Sequence, residues 1–379
     1  MYRMTAVLTG VLTAALLLGA CSEAVGPKPR NFAGPAFATA GTSGIVLDQS
    51  TGKQGDAGTL IGQGFIPTNP HRGDAIIATF VWPGSENIIT NVVDHLSDAA
   101  ATPVGNTYTL VEFVTAGGYA MATYVATNVQ NFPDPNPNEE SVLYVEATFS
   151  SPVTNAGVML SAWTGVNDVA AYALGAHRSG SGSASGITAV GPGSIPIGAG
   201  ALAYAVTMSN GLAGRDVPPG FTTIGIGSDA LIVTESDYSV QTASGAVDPR
   251  WTWYWPDSPP NTWLASVLAL NPPLRLGFAV QPSTTLPLMP ITPAVQVEVL
   301  DAMGNRVTGF SGQVTIAIQH NGGVVLPGTL SGTKTVTVAN GVATFSDLSI
   351  DQVGDGYTLV ATVPGMPSRE STSFNIGVM

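Results

Sequence analysis

Three tryptophans spaced two residues apart are the side chains of this sequence best suited to holding a ligand by direct contact. Trp251, Trp253 and Trp255 alternate with Thr252 and Tyr254. Successive side chains of a β-strand point to opposite faces, so the three indoles would line one face. Such a row could stack against the apolar faces of sugar rings, and these residues are the candidate ligand-binding site. The alternative, a packed core, is the favoured interpretation, because tryptophan is mostly buried in folded proteins.

Residues that carry catalytic or metal chemistry show no recognisable spacing. The four histidines, His71, His95, His177 and His320, share no metal-ligand spacing. The serine- and glycine-rich run 179–186 contains no serine flanked by glycines at the spacing of a nucleophile elbow. We therefore predict no catalytic residue, no metal site and no cofactor.

Acidic residues leave two alternatives open. Glycoside hydrolysis needs two carboxyl groups about 5–10 Å apart, a distance that a sequence does not contain. Solvated strand faces explain the same residues, and six acidic side chains lie on or beside candidate strands: Asp94, Glu112, Glu146, Asp168, Glu235 and Asp237. The run 134–140 offers oxygen atoms to calcium, but it lacks the glycine of a calcium loop and contains two prolines, which favours a surface turn.

The tripeptide Arg72-Gly73-Asp74 matches the sequence that integrins recognise. Recognition would require an exposed loop tip, whereas Asp74 directly precedes the strand-forming run 75–81. A chance occurrence in a turn that enters a strand is the favoured interpretation.

The only cysteine, Cys21, lies where an apolar leader ends. Arg3 supplies the positive start of a secretory signal peptide, and the apolar stretch 6–18 is too short to span a membrane. The segment Leu18-Gly19-Ala20-Cys21 resembles the lipobox of bacterial lipoproteins. The resemblance implies cleavage before Cys21, lipidation of its sulfur and stable anchoring by several acyl chains. Ser22 follows instead of aspartate, which in that family favours the outer membrane if the organism has one. The alternative is an ordinary leader with a chance cysteine.

Composition indicates a secreted β-rich protein. The 379 residues include 45 glycines and 28 prolines, only 10% are charged, and 44% are hydrophobic, which is too many for a disordered chain. The net charge of -13 argues against nucleic acid as a partner. Because no cysteine follows Cys21, the folded part cannot contain internal disulfides and depends on core burial.

Turn residues and strand patterns divide the chain into four segments. We predict a signal peptide over 1–20, a lipidated N-terminus and flexible tether over 21–43, a large jelly-roll or β-sandwich over 44–273, and a smaller Ig-like β-sandwich over 274–379. The fold class is therefore all-β. Within the last segment, Asn340-Gly341 separates two alternating runs and predicts a type I′ hairpin turn.

Both folded segments resemble known families. The first is similar to bacterial secreted jelly-roll domains of poorly defined role, through 73–77, Gly105-Asn106-Thr107-Tyr108, Trp163-Thr164-Gly165-Val166 and Pro219-Gly220-Phe221-Thr222. The second resembles bacterial Ig-like domains of the invasin and filamin-like kind through 297–305, 340–345 and 356–359. The second resemblance implies a spacer or an adhesion module. Resemblance of fold does not identify a ligand.

Together these features predict a surface- or envelope-anchored lipoprotein that acts as a non-catalytic binding or adhesion module after Sec-type export. Its expected partners are the membrane, through the N-terminal lipid, and a polysaccharide or surface protein. A structural spacer without a small ligand is the first alternative, and a glycan-active enzyme is the second. Because the Ig-like unit occurs once and follows the anchor, this distal unit is a candidate for meeting the partner.

Overall fold

The computed structural model describes residues 44–133, 141–211, 213–257 and 259–377. Within these ranges the chain is all-β with several packed sheets, so the predicted all-β, β-sandwich fold class is confirmed. Within these ranges the one α-helix is the four-residue turn α1 (Ala170–Ala173). No helix in these ranges has the length and hydropathy needed to cross a membrane.

The N-terminal sandwich, residues 44–270, contains sixteen of the described strands. In chain order they are β1 (Val46–Gly64), β2 (Ala75–Pro83), β3 (Ile89–Leu96), β4 (Thr109–Ala116), β5 (Tyr119–Ala126), β6 (Leu143–Thr164), β7 (Leu174–Ala184), β8 (Ile187–Val190), β9 (Ile195–Ile197), β10 (Leu202–Ser209), β11 (Gly214–Asp216), β12 (Thr222–Ser228), β13 (Val233–Val240), β14 (Gly245–Val247), β15 (Trp251–Tyr254) and β16 (Asn261–Leu270).

Two large antiparallel sheets form the centre of this sandwich. The first has the order β1-β6-β2-β5-β4, with β3 also paired to β6, and the second has the order β12-β13-β10-β16-β7. Their facing side chains share one buried core that includes Ile77, Met159, Tyr204 and Leu268. A third layer, the small sheets β11-β15-β8 and β14-β9, contributes to a further core with the other face of the second sheet.

The C-terminal sandwich, residues 274–377, contains the remaining described strands. They are β17 (Arg275–Val280), β18 (Val295–Leu300), β19 (Gln313–His320), β20 (Leu330–Ser331), β21 (Thr335–Thr337), β22 (Val342–Phe345), β23 (Ser349–Ile350), β24 (Gly354–Thr362), β25 (Arg369–Glu370) and β26 (Phe374–Ile376). The sheet β17-β18-β22 and the sheet β21-β19-β24-β25, with β26 on β24, enclose a separate core drawn from residues 274–376.

Sequence alternation explains the strands of this second sandwich. Val295, Val297 and Val299 on β18 are fully buried, while the glutamine and glutamate between them are half-buried. The turn at Asn340-Gly341 has positive φ at both residues, 50° and 77°. Backbone hydrogen bonds join the residues on either side of it, 339 and 342, in both directions at 2.9 and 3.0 Å. The predicted type I′ turn is therefore confirmed.

The two sandwiches contact each other beside the linker at 271–273. The ring of Tyr172, in α1, packs at 5.4 Å from the ring of Phe310 in the C-terminal sandwich. Asn271 donates its backbone N–H to the carbonyl of Ala173 at 2.8 Å and its side-chain amide to the carbonyl of Tyr172 at 3.0 Å. These bonds fasten the linker to the N-terminal sandwich at the end of β16.

Candidate functional site

The three indoles lie on one face, as the sequence predicts, but that face is the core. Trp251 and Trp253 have no exposed surface and Trp255 is 5% exposed, whereas Tyr254 on the opposite face is 43% exposed. The rings of Trp253 and Trp255 are stacked at 5.4 Å. Trp251, Trp253 and Trp255 therefore form no exposed platform for stacking a sugar, and the packed-core alternative describes their positions.

Small side chains on the neighbouring sheet are the physical reason for this burial. The layer that contains β15 covers β10 and β16, whose facing residues include Ala203, Ala205 and Ala265. Their short side chains leave a space between the layers that large rings can fill. Burying an aromatic side chain contributes about 2–3 kcal/mol of hydrophobic stabilisation, so the row holds the third layer on the sandwich.

Behind the indoles lies a buried group of three ionisable side chains. The guanidinium of Arg215 pairs with the carboxylate of Glu235, and these side chains are 6% and 2% exposed. Arg215 also lies over the ring of Trp253, with Cζ at 5.3 Å from its centroid. Trp251 donates its Nε1–H to Oδ2 of Asp237 at 2.7 Å. We call Arg215, Glu235 and Asp237 the inter-sheet ion cluster.

Burial governs the protonation of the inter-sheet ion cluster. Loss of hydration, followed by the charge of Asp237, raises the pKa of Glu235 to about 8. Loss of hydration also raises the pKa of Asp237 to about 6, although the hydrogen bond from Trp251 opposes this shift. The two carboxyl groups therefore hold one proton between them near neutral pH, and their remaining negative charge is matched by Arg215.

This pair of carboxyl groups lies out of reach of a glycan. Glu235 is 1% exposed and Asp237 has no exposed surface. The solvated-face interpretation is therefore wrong for both residues, and they lack the access that hydrolysis of a polymer requires. Their contacts with Arg215 and Trp251 connect β13 to β11 and β15.

Asp94 also differs from the solvated-face interpretation, since it is 2% exposed. Its Oδ1 accepts the backbone N–H groups of Gly105 and Asn106 at 2.9 and 3.1 Å. Its Oδ2 accepts the side-chain amide of Asn106 at 2.6 Å. Asp94 therefore holds the loop before β4 in place. The Gly-Asn-Thr-Tyr motif supplies the groups that bind this carboxylate, so its role is structural.

The other candidate carboxylates are dispersed. Glu112 on β4 pairs with Nδ1 of His177 on β7 at 2.6 Å and joins the edges of the two large sheets. Glu146 alternates with buried residues on β6 and is half-buried, and Asp168 is exposed. For these three residues the structure shows surface or edge positions.

A cluster that the sequence analysis missed lies where three adjacent strands end. Asp48, His71 and Asp74 offer ligand atoms that all lie within 4.8 Å of one another. Asp48 is the unpaired residue at a register shift of β1, because Leu47 pairs with Trp163 and the next paired residue is Gln49. Such a bulge redirects the side chain that it carries.

Hydrogen bonds orient the members of this cluster. The backbone N–H of His71 lies 3.1 Å from Oδ2 of Asp48 and 3.1 Å from Oδ2 of Asp74. Thr164, at the end of β6, donates its hydroxyl to Oδ1 of Asp74 at 2.8 Å. Burial and the hydrogen bond with Asp48 raise the pKa of the Asp74 carboxyl to about 7. The carboxylates of Asp48 and Asp74 are buried, and the imidazole of His71 lies between them and the solvent, partly exposed.

The fully buried side chain of Asn69 anchors the loop that carries His71. Its side-chain amide donates to the carbonyls of Pro133 and Ser141, each at 2.9 Å. Its Oδ1 accepts the backbone N–H of Leu143 at 2.6 Å. Since Asp74 is 1% exposed, its carboxylate is not displayed at a loop tip, in agreement with a chance integrin tripeptide.

A second feature is an exposed apolar surface at one end of the C-terminal sandwich. It consists of Leu286, Leu288, Met289, Val324, Val325, Leu326 and Val353, which are between 48% and 86% exposed. We call these residues the apical loops. The backbone N–H groups of Leu288 and Val324 donate to the carbonyls of Ile350 at 2.9 Å and of Val353 at 3.2 Å, so both loops lie beside the segment 350–353.

The apical loops lie at the end of the C-terminal sandwich that faces away from the N-terminal one. They follow the C-terminal ends of β17 and β19 and precede β24, whereas Phe310 and the linker lie at the opposite ends of these strands. No lysine or arginine occurs in 284–293, 321–329 or 351–356, while Asp351 and Asp355 do. The apolar surface therefore has an acidic rim.

Comparison of the chain with models of protein families, with curated proteins and with solved structures found no match in any of the three. The predicted lipidation residue, Cys21, and the acidic run 134–140 lie outside the described residues. The geometry of the described residues is therefore the basis for a functional argument.

Proposed function

We propose that this chain is an envelope-anchored lipoprotein that acts as a non-catalytic adhesion module and contacts a partner protein through the apical loops. The observation that carries the proposal is the exposure of these apolar side chains together, with Val325 at 86% and Leu288 at 71%. Contiguous exposed apolar surfaces on soluble domains mark interaction sites, since their hydration is unfavourable.

The position of the surface supports an adhesive role. An anchor at Cys21 would place the N-terminal sandwich near the membrane and the apical loops at the far end of the chain. The surface is then presented outward, where it meets a partner first. Buried indoles remove the main support for a carbohydrate ligand, so we assign a protein partner.

Charge narrows the class of partner. Asp351 and Asp355 flank the apical loops, and the whole chain carries a net charge of -13. A second copy of the chain and an anionic lipid surface are therefore repelled, whereas an apolar protein surface with a basic rim is attracted. Association with such a partner should weaken as ionic strength rises.

The test uses fluorescent liposomes that carry the full lipidated chain, incubated with cells of the source organism and with cultured mammalian cells. We expect adhesion that trypsin treatment of the cells abolishes. The triple variant Val324→Ser/Val325→Ser/Leu326→Ser should reduce adhesion at least about tenfold, because three apolar side chains no longer enter the interface. The matched control is Ile187→Ser, an equally exposed apolar residue of the N-terminal sandwich at 74%.

Three outcomes would contradict the proposal. Adhesion that survives trypsin would indicate lipid or glycan, and adhesion that the triple variant retains would place the contact elsewhere. Absence of adhesion to every cell tested would favour a structural spacer.

A further inference from the structure

We propose that Asp48, His71 and Asp74 form a binding site for one first-row transition-metal cation, with Zn²⁺ as the expected ion. The proposal is independent of the apical loops. It rests on the convergence of these three side chains, whose ligand atoms lie within 4.8 Å of one another. Ligand atoms bound at about 2.0–2.2 Å from one zinc ion lie about 3.3–3.6 Å apart in a tetrahedral arrangement, so only small side-chain rotations are needed to bring these atoms into coordination.

A buried oxygen in the cluster points to a ligand. Oδ1 of Asp48 is inaccessible to solvent and accepts no hydrogen bond from the described residues. It lies 3.1 Å from Nδ1 of His71, and the Asp48 side chain has no exposed surface. A buried carboxylate oxygen without a hydrogen bond is unfavourable. A cation bound between it and the imidazole would satisfy this oxygen.

The hydrogen bonds to Asp74 resemble those that orient carboxylate ligands in metal sites. Thr164 donates to one oxygen of Asp74, and the backbone N–H of His71 holds the other. These bonds fix the carboxylate while leaving each oxygen a further lone pair. Ligating carboxylates in metalloproteins are oriented by hydrogen bonds of this kind.

The donor set selects the type of ion. One imidazole with two carboxylates suits zinc or manganese, whereas magnesium and calcium prefer oxygen ligands alone. The His71 side chain is 42% exposed, so solvent reaches the outer side of the cluster. Three protein ligands with one open side leave a coordination position for water.

Binding is measured on the full chain, freed of metal with a chelator, by calorimetric titration with ZnCl₂, MnCl₂, CaCl₂ and MgCl₂. We expect one Zn²⁺ per chain and weaker or absent binding of Ca²⁺ and Mg²⁺. His71→Ala should weaken zinc binding by more than about 100-fold, and Thr164→Val by about 10–100-fold, since loss of an outer partner alone has this effect.

His177→Ala is the matched control, because this histidine is similarly exposed at 47% and pairs with Glu112 outside the cluster. It should leave the affinity and stoichiometry unchanged. Since His71 lies on a partly exposed loop, His71→Ala should retain native tryptophan fluorescence, which separates loss of binding from loss of folding. The visible absorption of bound Co²⁺ should also change in His71→Ala.

The proposal is overturned if zinc binds at less than one tenth of an ion per chain, or if His71→Ala binds as tightly as the unmodified chain. Selective binding of Ca²⁺ would overturn the assignment of the ion. Equal losses in His71→Ala and His177→Ala would indicate adventitious binding to surface histidines.

Discussion

Replacing Arg215 by methionine tests the inter-sheet ion cluster directly. The substitution keeps an apolar stem of similar volume and removes the only cation paired with Glu235 among the described residues, in a site where both side chains are at most 6% exposed. Removing one partner of a buried ion pair costs about 3–5 kcal/mol, because the other charge remains without compensation. Solvent screening does not reduce this cost at such low exposure.

The pH dependence of the penalty follows from the two carboxyl groups. In the unmodified chain, Glu235 with a pKa of about 8 and Asp237 with a pKa of about 6 share one proton between pH 6 and pH 8. Without the guanidinium, the folded state takes up a second proton in this range. Each additional bound proton makes stability fall by roughly 1–1.5 kcal/mol per pH unit, so the penalty should grow by roughly 2–3 kcal/mol between pH 6 and pH 8.

Urea unfolding followed by tryptophan fluorescence measures this effect in the N-terminal sandwich alone, because all six tryptophans lie between Trp82 and Trp263. At pH 5 both carboxyl groups of the unmodified chain are protonated, so we expect a small penalty there and about 3–5 kcal/mol at pH 8. Arg250→Met removes an exposed pair with Asp248 and should change stability by less than about 0.5 kcal/mol at either pH. A penalty for Arg215→Met that is the same at pH 5 and pH 8 would refute the reasoning.

Three further predictions concern the same sandwich. Trp253→Ala should destabilise it by about 3–5 kcal/mol in urea unfolding, because a fully buried indole leaves a cavity between the layers, and a penalty below about 1 kcal/mol would indicate an exposed ring. Asp94→Ala should cost about 1–3 kcal/mol and speed hydrogen exchange at Gly105, whose N–H loses its acceptor; unchanged exchange would contradict this role of Asp94. Since the pKa values of Glu235 and Asp74 are raised to about 8 and about 7, the folded state binds more protons than the unfolded chain, and stability should fall as pH rises from about 5 to about 8. Thermal unfolding across this range checks the sign, and a rise in stability would contradict it.

Local patterns were sufficient to predict much of the fold. The alternation at Val295, Val297 and Val299 predicts a half-buried strand, and these side chains are fully buried on β18. The Asn340-Gly341 pair predicts a type I′ turn, and both residues have positive φ. These predictions succeed because strand period and turn conformation depend on residues that are close together in the sequence.

Whether one face of a strand is buried or exposed depends on the layer that packs against it. The spacing of Trp251, Trp253 and Trp255 places them on one side of an extended segment, but the same spacing suits an exposed platform and a core. The decision comes from the alanines of β10 and β16, which leave room for large rings beneath the third layer. Packing between distant segments has no signature in the spacing of the tryptophans themselves.

The candidate metal cluster also depends on long-range packing and not on a local sequence pattern. Asp48 and His71 are separated by 23 residues, and the histidine carries no neighbouring histidine or cysteine at a metal-ligand spacing. Predicting the cluster would have required knowing that β1 has a bulge at Asp48 and which strands lie side by side. A single sequence contains neither kind of information. The pairing of β1 with β6 and of β6 with β2 brings the three side chains together.

The sequence alone therefore determined the all-β class, the alternating strands and the tight turn, since these depend on local conformational preference and on burial of every second side chain. It also predicts the lipid anchor, which lies outside the described residues. Tertiary structure decided which faces are cores, which carboxylates are buried together and which apolar loops remain exposed. These properties arise from long-range strand pairing and layer packing, where residues distant in the chain exclude water from one another.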